Sequence, residues 1–297
     1  MKRKLQQDPA QTIDGKAIAR AMRASIARHV QVLMEDHAIM PGLAVVLVGD
    51  DPASVIYVNN KKKAAAEAGI RDFMHILPQN TSQDELLKLV QKLNNDTKVH
   101  GILVQMPLPK QIDAATVLKA LDPAKDVDGL HVENVGRLVS GLPGLVPCTP
   151  LGCIALIKSV EKNLTGLHAV VVGRSSLVGK PVAQLLLREN CTVTTCHSRT
   201  PQLSHITRMA DILVVAAGKP GIVGADGVKP GAIVIDVGIN RVDGKITGDV
   251  DFEEVSKVAG YITPVPGGVG PMTIACLLGN TVAAACRQNE LTVPHIG

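Results

Sequence analysis

The stretch Val170-Val-Val-Gly-Arg-Ser-Ser-Leu-Val-Gly-Lys-Pro181 decides the fold of this chain. Its aliphatic start predicts a buried strand, and the glycines that follow predict a tight turn into a helix. Such a turn suits a pyrophosphate, because glycines let the backbone approach and a helix N-terminus offers free N–H groups. The spacing departs from G-x-G-x-x-G, since Ser175 replaces the middle glycine and Gly179 comes one residue late. An ordinary strand-to-helix turn is therefore the alternative, which the surrounding sequence has to exclude.

Aliphatic segments recur after this stretch and predict a β-α series. The predicted strands cover residues 169–172, 191–195, 212–216 and 232–237, and a helix covers residues 181–188. Because the glycine turn opens this series, the series predicts a Rossmann-type dinucleotide-binding domain. A Gly/Pro loop at 264–271 and an Ala-rich helix near 272–288 follow it.

An earlier β-α series begins at Leu43. The predicted strands are 43–48, 72–77 and 101–105, and the predicted helices are 54–68, 83–93 and 114–121. Ser54 is the predicted N-cap of the first of these helices, and Thr149 that of a helix at 150–160. Residues 122–147 are rich in Gly, Pro and Asp, so we expect an irregular functional loop there.

The length of 297 residues suggests two domains. We expect an α/β protein with an N-terminal α/β/α domain built on a parallel sheet, a C-terminal Rossmann-type NADP-binding domain, and a cleft between them. The predicted boundaries are 1–148 plus the C-terminal helix 272–297 for the first domain, and 149–271 for the second.

Composition excludes several classes of function. The net charge is only +4 and no basic stripe occurs, so we expect no nucleic acid partner. The six cysteines form no C-x-x-C pair and the nine histidines show no ligand spacing, so we expect no metal. No signal-peptide core and no run of about 18 apolar residues is evident, so we expect no membrane segment and a cytoplasmic location.

The charges near the glycine turn favour NADP over NAD. NAD sites usually place an acidic residue after the second strand, but here that strand leads into His197-Ser198-Arg199-Thr200. Ser198 can donate to a 2′-phosphate, and Arg174 or Arg199 can pair with it. Alternatively, Arg199 is merely solvated. Ile239, at the end of another strand, is a candidate contact for the nicotinamide ribose, although simple strand termination explains it equally well.

Candidate chemical groups lie in the first series. Tyr57 and Lys61 are four residues apart and share a helical face, so an aromatic surface and an amine lie together. The same spacing occurs in short-chain dehydrogenases, but there it follows the glycine loop, which excludes that family. Taken alone, the pair could be coincidence.

Two further segments give the pair a context. Gln105 is a polar residue at the carboxyl end of an aliphatic strand, where ligands usually bind. Asp126 and Asp128 lie in the predicted loop, and a carboxylate there can accept two hydrogen bonds from a 2-amino-pyrimidinone edge. The alternative for these two acids is a turn-forming motif.

In combination, these motifs resemble the bifunctional methylenetetrahydrofolate dehydrogenase/methenyltetrahydrofolate cyclohydrolase family. The matching blocks run in family order from Ile13 onward, and only residues 1–11 have no assigned counterpart. The blocks are Pro41–Gly49, Tyr57–Lys61, Gly101–Pro109, Lys125–Gly129, Pro147–Pro150, Gly173–Pro181, Asp236–Asn240 and Pro264–Thr273.

The resemblance implies two reactions in one site, which are NADP-dependent oxidation of 5,10-methylenetetrahydrofolate and hydrolysis of the methenyl product. It implies that Tyr57 stacks on the folate, that Lys61 is the key catalytic group positioned by Gln105, and that Asp128 holds the pterin amino edge. Other implied folate contacts are Val104, Met106, Pro266, Gly267, Gly268 and Pro271. Implied NADP contacts are Gly173, Arg174, Ser175, Ser198, Arg199 and Ile239. A homodimer is implied as well.

We further hypothesise that Lys61 is partly neutral, because a full ammonium would repel the methenyl cation and burial lowers a lysine pKa. One alternative function is a monofunctional dehydrogenase with the same fold. A non-catalytic NADP sensor would not need Tyr57, Lys61, Gln105 or Asp128. A shikimate-type dehydrogenase would not need the 264–273 loop.

Overall fold

A computed structural model describes residues 9–295 of the chain. The chain divides into two compact units. One comprises Met1–Ala19 with Thr149–Thr273, and the other comprises Arg20–Cys148 with Ile274–Gly297.

The elements follow in chain order. The first half contains β1 (Gln11–Thr12), α1 (Gly15–His37), β2 (Gly42–Val48), α2 (Pro52–Glu67), β3 (Arg71–Leu77), α3 (Gln83–Asn95), β4 (Gly101–Val104), α4 (Ala114–Ala120) and α5 (Val132–Val139). The second half contains α6 (Cys148–Lys158), β5 (His168–Val172), α7 (Gly179–Arg188), β6 (Thr192–Cys196), α8 (Leu203–Thr207), β7 (Ile212–Val215), a 3₁₀ turn (Ala225–Gly227), β8 (Ile233–Asp236), β9 (Asn240–Val242), β10 (Lys245–Thr247), α9 (Phe252–Val255), β11 (Tyr261–Ile262) and α10 (Val269–Gln288).

The unit that contains Arg20–Cys148 is built on a three-stranded parallel sheet in the order β3-β2-β4. Every residue of β2 is buried, as its unbroken aliphatic sequence predicts for a central parallel strand. Its side chains pack with apolar residues of α3, among them Leu86 and Val90. β4 ends at Val104, so the polar residue that follows stands at the carboxyl edge of the sheet.

The other unit is built on a six-stranded parallel sheet in the order β1-β11-β8-β7-β5-β6. Its central strands β5, β7 and β8 are almost wholly buried. The order around β5 places β6 on one side and β7 on the other, so the chain reverses direction across the sheet at β5. In α/β sheets this reversal marks the crevice that receives a ligand. The predicted Rossmann-type sheet is confirmed.

Helix starts agree with local sequence rules, with two corrections. α2 begins at Pro52 with Asp51 as N-cap, whose carboxylate accepts the Ser54 N–H, so the prediction of Ser54 as N-cap was wrong. α6 begins at Cys148, which places Thr149 inside the helix rather than at its cap.

Several elements were missed in the sequence analysis, including β1, α8, α9 and β11. α1 was not predicted, and neither was the β9–β10 hairpin. The supposedly irregular segment 122–147 contains α5, which is capped by the His131 side chain accepting the Glu133 N–H. α5 is only 8 residues long, too short for its apolar period to stand out from the surrounding turns.

The N-terminal strand is part of the six-stranded sheet. Gln11 and Thr12 pair with Tyr261 and Ile262 of β11, so this short segment belongs to the six-stranded sheet. The division into 1–148 with 272–297, and 149–271, stays a prediction.

The cysteines and the long apolar helix both lie in the interior of the protein. All six cysteines are free and buried, as expected for small apolar side chains. Within residues 9–295, α10 alone is long and apolar enough to cross a membrane, and 72% of its apolar window is buried inside the protein, the usual state of a core helix.

Candidate functional site

The amine of Lys61 is buried and held by Gln105. Lys61 is 7% exposed, and its Nζ donates to Gln105 Oε1 at 2.9 Å. Gln105 is itself fixed, because its Nε2 donates to the Met106 carbonyl at 2.7 Å and its backbone N–H to the Val46 carbonyl at 2.8 Å. The amide oxygen is therefore an oriented acceptor for the amine.

Burial changes the protonation of this amine. It lowers the pKa of Lys61, while the electrostatic effect of Asp128, and then that of Cys148, raises it in part. Burial likewise raises the pKa of Asp128, against the effect of Lys61. For both groups burial favours the neutral form. The direction for Lys61 is the one that the sequence analysis hypothesised.

Tyr57 lies one turn before Lys61 on the same side of α2 and is half-buried. Burial raises the pKa of its phenol, so it stays neutral at physiological pH. Val104 closes β4 and is buried, whereas Met106, which follows Gln105, is half-buried. An aromatic ring, an amine and an amide are thus supplied by one helix and one strand end.

The turn that carries Asp128 is fixed by Asp126. The fully buried Asp126 accepts the His131 N–H at 2.7 Å and the Asn134 side-chain amide at 2.9 Å. Its carbonyl accepts the Gly129 N–H at 3.0 Å, which closes the turn. Asp126 therefore joins the Asp128 turn to the start of α5. This is the turn-forming role that the sequence analysis gave as the alternative for Asp126 and Asp128, and the structure shows it for Asp126.

The sequence analysis missed two residues that hold this turn. The Cys148 thiol donates to the Val127 carbonyl at 3.2 Å, and its hydrogen bond to Asp128 offsets a small part of the rise that burial causes in the pKa of that carboxyl. The side chain of Asn280 donates to the carbonyls of Val127 and Val146, both at 2.8 Å. For Asn280, the sequence feature that could have indicated a structural role was a side-chain amide within a mostly apolar helix. For Cys148, the sequence offered only its position at the start of a helix.

The glycine loop fits a pyrophosphate. Gly173 has φ +130°, and a Cβ on it would lie 2.2 Å from the Ala216 carbonyl oxygen. Gly179 begins α7, and a Cβ there would lie 2.2 Å from the Gly173 carbonyl oxygen. The Ser175 hydroxyl accepts the Val178 N–H at 3.2 Å. A close backbone turn at a helix N-terminus is the cradle that a dinucleotide needs.

The proposed cofactor-selective residues are exposed. Arg174, Ser198 and Arg199 all face solvent, and Ile239 is 57% exposed. The loop after β6 is shaped by His197, whose Nδ1 accepts the Arg199 N–H at 3.1 Å. No acidic side chain occurs between β6 and α8. This segment offers donors and positive charge to a 2′-phosphate.

The Gly/Pro loop belongs to the unit of the six-stranded sheet. It contains Pro266, Gly267 with φ +114°, Gly268 and Pro271, and the Gly268 N–H donates to the Pro264 carbonyl at 2.8 Å. The other predicted folate contacts, Tyr57, Lys61, Val104, Gln105, Met106 and Asp128, belong to the unit of the three-stranded sheet. Within the described residues no group of three His, Cys, Asp or Glu side chains could hold a metal ion.

Two family models match the chain. Residues 13–128 match the catalytic domain of tetrahydrofolate dehydrogenase/cyclohydrolase, and residues 147–289 match its NAD(P)-binding domain. The chain is 59% identical over 290 residues to the bifunctional protein FolD of Cereibacter sphaeroides, with 96% of this chain and 98% of that protein covered.

Solved structures agree with these matches. The bifunctional FolD dehydrogenase/cyclohydrolase of Campylobacter jejuni superposes with a TM-score of 0.91 at 51% identity, covering 95% of this chain and 100% of that chain. The FolD of Trypanosoma brucei, complexed with NADP cofactor and inhibitor, superposes with a TM-score of 0.90 at 40% identity, covering 95% and 99%.

Proposed function

The chain belongs to the tetrahydrofolate dehydrogenase/cyclohydrolase family, and we propose that it performs both reactions of a bifunctional member. It oxidises 5,10-methylenetetrahydrofolate to 5,10-methenyltetrahydrofolate with NADP⁺, and it hydrolyses that product to 10-formyltetrahydrofolate. The observation that carries the proposal is the buried Lys61 amine on the Gln105 amide, since oxidation alone would need no such group.

The oxidation asks mainly for alignment. A hydride leaves the methylene carbon, and the two folate nitrogens stabilise the cation that remains, so the protein has little charge to supply. Bound NADP⁺ supplies the hydride acceptor. The chain contributes the glycine loop for the pyrophosphate, with Gly173, Arg174 and Ser175 as contacts, and Ile239 beside the nicotinamide ribose.

The choice of NADP follows from charge. Arg174 and Arg199 offer guanidinium groups to the 2′-phosphate, and the Ser198 hydroxyl donates to it. The absence of an acidic side chain after β6 removes the usual acceptor for the 2′-hydroxyl of NAD.

The hydrolysis asks for proton transfer. Water adds to the methenyl carbon and loses one proton, which gives a neutral hydroxyl adduct. The bond from that carbon to N5 then breaks as N5 gains a proton and the hydroxyl proton leaves to solvent, so the formyl group stays on N10 and one proton is released overall. The neutral amine of Lys61 accepts the proton from water and, as an ammonium, returns it to N5. Gln105 orients the amine without adding a charge, and burial lowers the Lys61 pKa in favour of the neutral amine.

The proposed folate contacts are those that the sequence resemblance implies. Tyr57 stacks on its ring system, and Val104 and Met106 contribute contacts around Gln105. The ionised form of Asp128 accepts two hydrogen bonds from the pterin amino edge, which offset the burial of its charge. The loop with Pro266, Gly267, Gly268 and Pro271 wraps the rest of the substrate.

Replacing Lys61 with methionine tests this proposal. Methionine keeps the apolar stem and removes the proton-transferring amine, so methenyl hydrolysis should fall by at least about 100-fold. NADP⁺ affinity, measured by calorimetry, should stay within about twofold, because the glycine loop is unchanged. The rates are read from absorbance with methenyl- and methylenetetrahydrofolate supplied separately.

The neighbouring Lys62 provides a matched control. It lies on the same helix but is exposed, so Lys62→Met should leave hydrolysis unchanged. Hydrolysis by the Lys61→Met variant at the parent rate, with the fold intact, contradicts the role of Lys61. If the parent oxidises methylenetetrahydrofolate but hydrolyses no methenyl substrate, the chain is a monofunctional dehydrogenase.

Three further proposals complete the description. We propose a homodimer, for which light scattering should give about twice the chain mass of 31.2 kDa. We propose a cytoplasmic location, which cell fractionation tests. We also propose 1–148 with 272–297 as the folate-binding domain, and 149–271 as the NADP-binding domain.

A further inference from the structure

A buried carboxylate, Asp249, joins two segments that follow neighbouring strands of the six-stranded sheet. Asp249 is fully buried, and its Oδ2 accepts the N–H groups of Ala217 at 2.7 Å and Gly218 at 2.8 Å, just after β7. Its Oδ1 accepts the Asn240 side-chain amide at 2.8 Å, at the start of β9. One side chain therefore fixes two strand-end segments at once.

The same carboxylate is locked in place by its surroundings. A Cβ on Gly238 would lie 2.3 Å from Asp249 Oδ1, so this glycine leaves the room that the carboxylate occupies. Asp236, at the end of β8, accepts the Asp249 N–H and the Gly238 N–H, each at 2.9 Å. The position of Asp249 is thus set by β8 itself.

The segments that Asp249 fixes border the cofactor loop. Ala216, adjacent to Ala217, has its carbonyl oxygen 2.2 Å from where a Cβ on Gly173 would stand, so the two backbones are in direct contact. Ile239 lies between Gly238 and Asn240 and is exposed. The carboxyl ends of parallel strands form the edge at which dinucleotides bind.

We propose that Asp249 is a positioning residue for NADP, which sets the Ala217–Gly218 backbone and the Ile239 segment without touching the cofactor. An ionised carboxylate suits this task, because it accepts all three hydrogen bonds and such charge-assisted bonds are stronger than neutral ones. An asparagine has the same shape, but its NH₂ group is a donor and would face one of the N–H groups that the carboxylate now accepts. The proposal rests on the proposed function, since it needs NADP as the ligand.

The Asp249→Asn variant tests the proposal. We expect its NADP⁺ KM, and its NADP⁺ Kd by calorimetry, to rise by about tenfold or more, the usual result of losing hydrogen bonds to a charged group. The kcat of methenyl hydrolysis should stay within about twofold, because that reaction uses no NADP⁺. A merely structural carboxylate would not separate the two activities in this way.

Asp211 is the matched control. It too accepts a backbone N–H, that of His168 at 2.9 Å, but His168 begins β5, so Asp211 lies at the amino edge of the same sheet. Asp211→Asn should lower the unfolding temperature and leave the NADP⁺ KM unchanged. Should Asp249→Asn fail to fold, Asn240→Ala removes one of the three hydrogen bonds and should raise the NADP⁺ Kd about threefold.

The proposal is overturned if the NADP⁺ Kd is unchanged in Asp249→Asn or, should that variant not fold, in Asn240→Ala. It is also overturned if oxidation and hydrolysis fall equally and the fall matches the loss of stability. The direct binding measurement keeps this test separate from the proposed function. If the parent protein binds NADP⁺ but does not turn over folate, the proposed function is wrong. The role of Asp249 can still be tested in that case, by comparing the NADP⁺ Kd of the parent with that of the variant.

Discussion

The carboxyl end of β4 and the carboxyl end of β5 are both candidate ligand-binding regions, but the groups they carry differ in kind. After β4, the candidate groups are side chains, because the Gln105 amide oxygen accepts a hydrogen bond from the Lys61 amine. After β5, the backbone shapes the turn into α7, since neither Gly173 nor Gly179 has room for a Cβ. Side-chain chemistry depends on protonation, whereas a backbone cradle depends on shape.

This difference predicts how each region responds to change. A substitution in the backbone cradle should act through space and be insensitive to pH. A substitution beside Lys61 should act through charge and move a pH profile. The following variants test that contrast, from the largest expected effect to the smallest.

Gly179→Ala should have the largest effect. The new methyl would lie 2.2 Å from the Gly173 carbonyl oxygen, so the loop or α7 has to shift. We expect the dehydrogenase kcat/KM for NADP⁺ to fall by about 1,000-fold at every pH, because the cradle no longer fits. Gly136→Ala is the control, since a Cβ at Gly136 meets nothing within 4 Å; it should keep both activities. If Gly179→Ala has the same kcat/KM for NADP⁺ as the parent, then NADP⁺ binding does not require the close approach of Gly179 to the Gly173 carbonyl.

Gln105→Glu should act through charge. A carboxylate beside the Lys61 amine raises its pKa, so less neutral amine is present near pH 7. Methenyl hydrolysis should fall by about 100-fold there and recover as the pH rises. Gln105→Leu is the uncharged comparison, which should lower hydrolysis without moving the pH profile. A profile for Gln105→Glu that coincides with that of the parent would show that the charge of Lys61 does not limit hydrolysis.

Asp236→Asn should have the smallest effect, and the quantity measured is stability. Burial raises the pKa of Asp236 to about 6, against the effect of the Asp249, Val250 and Gly238 N–H groups. The folded protein therefore binds more protons than the unfolded chain between the two pKa values, and stability is lost as pH rises through that window. From about pH 4.5 to 6.5 the parent should lose about 2 kcal/mol more than the variant in urea unfolding. Parallel curves would mean that Asp236 stays ionised.

Much of the fold was predictable because parallel sheets have strong local signals. The unbroken aliphatic runs of β2, β5 and β7 can only be buried strands, and Gly and Pro mark their ends. α5 and the β9–β10 hairpin were missed because short elements carry too few residues to show a period. β1 has two residues, and its pairing with β11 depends on a partner some 250 positions away.

The candidate site divides in the same way. Gln105 was a candidate because it follows the carboxyl end of an aliphatic strand, and Lys61 because it shares a helical face with Tyr57. The structure places Lys61 and Gln105 in hydrogen-bond contact. Asp249 and Asn280 were not, because their partners are backbone groups of distant segments, such as the Ala217 N–H and the Val127 carbonyl. A local sequence pattern does not show which polar side chain will be buried against the backbone groups of a distant loop.

The six buried cysteines also make this enzyme well suited to site-specific labelling. Burial raises the pKa of the Cys276 thiol to about 12 and also raises the pKa values of Cys148 and Cys196, so reactive thiolate is scarce in the folded state. A single new cysteine on an exposed helix position would then be the dominant target for a maleimide dye. The native thiols can stay in place, and a fluorescent reporter of cofactor or folate binding requires one substitution rather than seven.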